Sequence, residues 1–221
     1  MTGGIEGIDR HQLRPIEHPG LIRLGLPRDG GYVVPEAEVR NATVLLSLGM
    51  NQDWSFDRAF VAANAGARVI GVDHSVGPSL FARQIAGSLL DIPLDSLRNR
   101  RHVRKDIAVL RNSIDYFLFF GARHRHIRKR VARNDSASAV SVASLCDMAG
   151  ANSGRTVFLK MDIEGAEYDL VPDIVGCEGR INCLVVEFHP LSKRVGVFNR
   201  SVAQLLEHFR IVHIHGNNYG S

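Results

Sequence analysis

The sequence predicts an α/β domain built on an open, doubly wound, mostly parallel sheet, and two observations carry that reading. Residues 43–48 (TVLLSL) and 67–72 (ARVIGV) are unbroken apolar runs ending at Gly49 and Asp73, the pattern of strands buried on both faces. Between and after them, apolar runs alternate with helical patterns, which is how parallel strands joined by crossover helices are written in a chain.

In order, 43–48 is the first strand and DWSFDRAFVAANAG (53–66) a helix, with Asp53 or Ser55 as N-cap and Gly66 as its stop. The strand at 67–72 completes a βαβ unit. A helix near 78–90 follows, then a weaker strand at 102–107 (HVRKDI), a strand at 156–161 (TVFLKM) and a helix at about 165–175. The series closes with a strand at 181–188 (INCLVVEF), a helix at 199–209 and a last strand at 211–215 (IVHIH). Two stretches fall outside this rhythm: a Gly/Pro-containing lead-in, 1–42, packed on the main domain at 43–221, and a basic insert at about 111–140.

With 221 residues, 45% of them apolar, the chain can bury one core without staples. No run of 18 uncharged apolar residues and no basic-then-apolar leader is present, so the default compartment is the cytoplasm. Cys146, Cys177 and Cys183 lack CxxC spacing and read as reduced core thiols. The net charge of +4 hides an asymmetry: residues 98–133 hold twelve Lys/Arg against Asp106 and Asp115, a balance of +10 that leaves −6 elsewhere.

A ligand of such a sheet sits beyond the carboxyl ends of the strands, where strand order reverses. The first exit, SLGMNQDWS (47–55), has Gly49 alone where a dinucleotide site needs G-x-G-x-x-G, so a nucleoside-bearing ligand without phosphates fits better than a pyrophosphate. Asp73 ends the next strand, where a carboxylate can accept from both ribose hydroxyls; its plainer role is a turn or cap residue. Asp106, after the expected third strand, either edges an adenine pocket or is a surface acid among arginines.

The most specific stretch is VFLKMDIEGAEYD (157–169). Alternation puts Lys160 and Asp162 on one strand face before the chain turns at Glu164-Gly165 into a helix. Glu164 and Glu167 also suit the positive end of that helix, which accounts well for Glu167 but not for an acid at 162.

The string LKMDIEGAEYDLV, with DGGYVVP, VIGVDHS, VVEFHP and HIHGNNYG around it in that order, resembles the FkbM family of S-adenosylmethionine-dependent methyltransferases over roughly residues 27–220. The resemblance implies the Rossmann-like class I methyltransferase sheet and methylation of a hydroxyl on a small molecule or sugar. It gives the cofactor's ribose to Asp73 and its amino-acid end to Gly49 and Asn51; Asp106 and Asp162 complete the expected cofactor-binding set. Two departures stand out: the first loop lacks the second glycine usual in class I methyltransferases, and the chain stops at Ser221, before the usual seventh, antiparallel strand. Either that strand is missing or the sheet edge is completed another way.

Transfer of a methyl group from a sulfonium is an in-line displacement, and an alcohol acceptor must also lose its proton. His189, extended by the following Pro190, and Asp162 are the candidate bases, with Glu164 beside them at the same exit. Glu187 reads as a partner that fixes His189 or binds Lys160. Asp162, Glu187 and His189 can alternatively hold a hard divalent cation; sequence leaves base and metal both open. His213 and His215 share one face of the last expected strand, and Asn217 and Asn218 either contact an acceptor sugar or make a turn.

The basic run at 123–133 reads as a solvated helix or lid over the acceptor pocket. Alternatively it docks an anionic acceptor or membrane surface, with Tyr116, Phe117, Phe119 and Phe120 as apolar anchor. Nucleic acid is disfavoured, since no RNA-recognition motif or zinc knuckle is present. The rivals to an enzyme of this kind are a non-catalytic α/β module docking an anionic partner through 98–133 and, less well supported, a nicotinamide-linked oxidoreductase. Oligomeric state leaves no trace in the sequence.

Overall fold

The computed structural model describes residues 7–27, 30–96, 100–153, 155–177, 179–189 and 191–216. The apolar runs at 43–48, 67–72, 156–161 and 181–188 become strands as expected. In chain order the elements are β1 (Leu21–Leu24), β2 (Tyr32–Pro35), α1 (Glu36–Asn41), β3 (Val44–Leu48), α2 (Ser55–Ala63) and β4 (Arg68–Val72). Then come α3 (Pro78–Ser96), α4 (Arg100–Phe119), β5 (Arg125–Ile127), β6 (Arg130–Val131), β7 (Ala139–Val140) and α5 (Val142–Ala149). The chain continues through β8 (Val157–Met161), α6 (Glu167–Val175), β9 (Cys183–Val186) and α7 (Val195–Leu206).

The central sheet has five strands in the order β5-β4-β3-β8-β9, all parallel. Leu46 pairs with Ile70 on one side and Leu159 on the other, so β3 is the middle strand. From β3 the chain winds outward to β5 and then returns to β8 on the opposite side. The reversal of strand order therefore lies between β3 and β8, at the exits carrying Gly49 and Asp162.

Alternation along these strands divides the core. Val44, Leu46, Leu48, Val157, Leu159 and Met161 pack with α5 and α6 on one face, whereas Leu45 and Phe158 face α2 and the lead-in. Lys160 shares the second face with Phe158, which places its ammonium beneath the N-terminal β1–β2 hairpin. That antiparallel hairpin packs Val34 and Tyr32 against Phe56 and Phe60 of α2. Further back, Ile8 and Leu13 join Tyr168, Phe198 and Val202 in a small satellite cluster on α7.

Several expectations are corrected. Residues 102–107 are helix, not strand: Val103, Ile107, Leu110, Ile114 and Phe117 recur at spacings of four and three along α4, a helical period that a six-residue window cannot show. The third parallel strand is instead β5, a short edge strand inside the basic run, so 123–133 is not the expected helix. Tyr116 and Phe119 are buried, so of the expected aromatic anchor only Phe117 is exposed. Residues 211–215 form no strand; Ile211 instead accepts a hydrogen bond from the Ile16 amide through its carbonyl. Among the described residues no antiparallel strand joins the central sheet. The first crossover helix opens at Trp54, with the Asp53 carboxylate accepting from the Ser55 amide, and it stops at Asn64, two residues before Gly66. Residues 199–209 fall mostly within α7, which begins four residues earlier than expected. No described helix is long and apolar enough to cross a membrane.

Candidate active site

Two strand exits meet at Gly49. Its φ of +73° is one that a side chain resists, and a Cβ there would lie 1.7 Å from the Asp162 carbonyl oxygen. The glycine is thus required by the crossing of the β3 and β8 exits themselves. Lys160 Nζ donates to the Gly49 carbonyl at 2.8 Å and lies 3.6 Å from Asp162 Oδ2, joining the same two exits from below. Asn51 also has a positive φ, +45°, a region that Asn tolerates better than most residues.

Asp73 closes the other side of this loop. Its Oδ2 accepts from the amides of Met50 and Asn51 at 3.1 and 2.8 Å, and its Oδ1 from the amide and hydroxyl of Ser75 at 2.7 and 2.6 Å. Burial alone would raise its pKa, but these four donors outweigh burial and hold the carboxyl below its usual range. Asp73 is therefore the anchor of the 49–51 loop. Asp106, by contrast, lies within α4, because the strand it was expected to follow does not form.

The acids gather at the β8 and β9 exits. After Asp162 the chain turns through Glu164, φ +59°, and Gly165, φ +105°. Glu167 fastens this turn: its Oε1 accepts from the amides of Ile163 and Gly165 at 3.1 and 3.0 Å, and contacts His189 Nδ1 at 3.0 Å. Glu167 is fully buried, so the helix-end account of it is too small; it orients the turn and the imidazole together. The other ring nitrogen, Nε2, faces Glu187 Oε1 at 3.5 Å and Asp162 Oδ1 at 4.0 Å. Burial lowers the His189 pKa, but Glu167, Asp162 and Glu187 more than reverse this and raise it above its ordinary value.

Sequence reasoning missed Tyr32. Its hydroxyl lies 2.9 Å from both Asp162 Oδ2 and Glu187 Oε2, bridging the two exits from the N-terminal hairpin. Burial, then the two carboxylates, push its ionisation far upward, so it remains a neutral phenol whose one proton serves either acid in turn. The only signal was its place in DGGYVVP. Tyr32→Phe is expected to cost roughly 1–2 kcal/mol of stability in a denaturant titration, because two nearby carboxylates lose their common donor. A loss below the error of the titration would remove the bridging role.

Asp162, Glu164 and His189 each present one ligand atom within 4.8 Å of the others, an oxygen-rich set that a hard divalent cation can use. Glu187, expected in such a set, is not part of this one: its Oε2 accepts from Tyr32 while its Oε1 faces His189. His213 and His215 are exposed, their rings 5.4 Å apart, and Asn217, Asn218 and Pro190 lie outside the described residues.

A five-stranded parallel sheet with its acids, histidine and loop glycine at the switch point is a Rossmann-like fold carrying its candidate site where such folds bind ligands. The methyltransferase FkbM domain matches residues 49–218, most of the chain, and the protein belongs to that family. No curated protein and no solved structure matches the chain.

Proposed function

We propose that this methyltransferase takes its methyl group from S-adenosylmethionine and delivers it to a hydroxyl of a small molecule or sugar, with His189 as general base. The observation that carries the reading is the commitment of His189 Nδ1 to the buried, acceptor-only Glu167 carboxylate. That bond keeps the proton on Nδ1 and leaves the lone pair on Nε2, the nitrogen turned toward the strand exits.

The residues at the switch point suit the cofactor. Asp162, Glu164, Glu167 and Glu187 outnumber Lys160 and His189, a surplus of negative charge suited to a sulfonium. Asp73 holds the loop of Gly49 and Asn51 in place, and its Oδ1 becomes available to a ribose by exchanging the Ser75 hydroxyl, the one rotatable donor of its four. When bound, the cofactor supplies an electrophilic methyl group. His189 Nε2 receives the acceptor's proton, and Asp162 and Glu187 stabilise the resulting imidazolium. Asp162 also accepts from Tyr32 and faces Lys160, so it orients the site more readily than it moves a proton.

Calorimetry with S-adenosylmethionine and its demethylated product is the direct test, and absence of binding to both overturns the reading. Asp73→Asn is expected to weaken binding of the demethylated product about tenfold, since it removes the charge that orders the loop. Unchanged affinity would take Asp73 out of the cofactor site. A screen of hydroxylated acceptors, read as release of the demethylated cofactor, then identifies the acceptor class.

A further inference from the structure

We infer that one face of α4 docks on an anionic lipid surface. Six of the ten exposed large apolar side chains among the described residues lie on the α3–α4 hairpin. On α4, Val103, Ile107, Leu110, Ile114, Phe117 and Leu118 form a stripe along one side. Among the described residues none of the six joins a core cluster; Val103, Ile107 and Leu110 are half-buried, and Ile114, Phe117 and Leu118 are 43%, 44% and 76% exposed.

The helix already satisfies its domain with a different face. Ser113, Tyr116 and Phe119 are buried; Tyr116 stacks on Phe81 of α3 at 4.1 Å, and the Ser113 hydroxyl donates to Gln84 at 2.9 Å. Ile114, Phe117 and Leu118, the exposed end of the stripe, take no part in that packing.

Charge decides what covers it. α4 carries five Lys/Arg and two Asp, and Asp115 is already held by Arg58 and by Trp54 Nε1. Arg104 and Arg111 border the stripe, exposed and with no ion-pair partner among the described residues. A second copy laid on the same stripe would bring Arg111, next to the midpoint Leu110, against its own counterpart, and like charges oppose that pairing. An apolar stripe bordered by unpaired arginines instead fits an interfacial helix, with side chains among acyl chains and guanidiniums at anionic headgroups. The stripe and its two arginines lie on α4 itself, outside the basic run at 123–133.

The test is cosedimentation of the full chain with phosphatidylserine–phosphatidylcholine vesicles and with phosphatidylcholine alone. Binding is expected to the first and not to the second. Leu118→Glu and the pair Arg104→Glu with Arg111→Glu are each expected to weaken binding about tenfold, with unchanged circular dichroism and thermal midpoint. Leu118→Ser serves the same purpose should the Glu variant unfold. The inference is overturned by failure to bind anionic vesicles, or by Leu118 variants that bind like the parent, which would mean charge attraction alone. It is equally overturned by light scattering that shows a dimer dissolved by Leu118→Glu, which would make the stripe a self-interface. None of these readouts depends on methyl transfer.

Discussion

His189→Asn is expected to slow single-turnover methyl transfer by about a hundred- to ten-thousand-fold, the range spanned by loss of a general base, with little change in cofactor affinity. Asparagine can still donate to Glu167, so the turn at Gly165 should persist while the basic nitrogen disappears. The pH profile gives a second signature. Because flanking carboxylates raise the His189 pKa above its ordinary 6.5, the neutral, proton-accepting form dominates only above that raised value, and the rate should rise with pH through it. Glu167→Gln removes one of the groups that raise it and should move the inflexion to lower pH. Stability runs the other way: protonated His189 contributes fully below its ordinary pKa and loses that contribution as pH rises through the folded one. A variant retaining its rate within about threefold, or a profile without an inflexion, would exclude His189 as the base.

The parts of this molecule written in local pattern were legible, and those made by distant contact were not. β3, β4 and β8 are buried on both faces, so their apolar runs stand out without any knowledge of partners. β5 is a three-residue edge strand reading Arg-His-Ile, and its pairing to β4 rather than its composition makes it a strand. Residues 102–107, with Asp106, belong to a helix whose apolar period shows only over the full length of α4. At the site, Asp162 and His189 were found because they end strands. Tyr32 was not, because it arrives from a hairpin 130 residues away in sequence. Glu167 looked sufficient as a helix-end acid; only its complete burial against two amides and an imidazole shows the larger role.

Lys160→Met is expected to cost about 3–5 kcal/mol near pH 8, the scale of a buried charge left without its partner. Lys160 is 4% exposed, and its ammonium sits 5.6 Å from the Tyr32 ring centroid, between the Gly49 carbonyl and Asp162. It also opposes the charge of Asp57 on α2. Burial pushes that wholly buried carboxyl up to about 6, and the nearby lysine is the largest influence pulling it back down. With a folded pKa above the ordinary 3.8, Asp57 favours the fold while protonated and loses that contribution as pH rises through about 6. Removing Lys160 lifts this pKa further and extends the loss over a wider span of pH. The deficit of the variant should consequently be smaller near pH 5 than near pH 8 in parallel urea titrations. Adding Asp57→Asn to Lys160→Met should recover about 1–3 kcal/mol at the higher pH, since the stranded charge is then absent. Equal deficits at the two pH values, or no recovery in the double variant, would mean that Lys160 holds the crossing of the two exits through the Gly49 carbonyl alone.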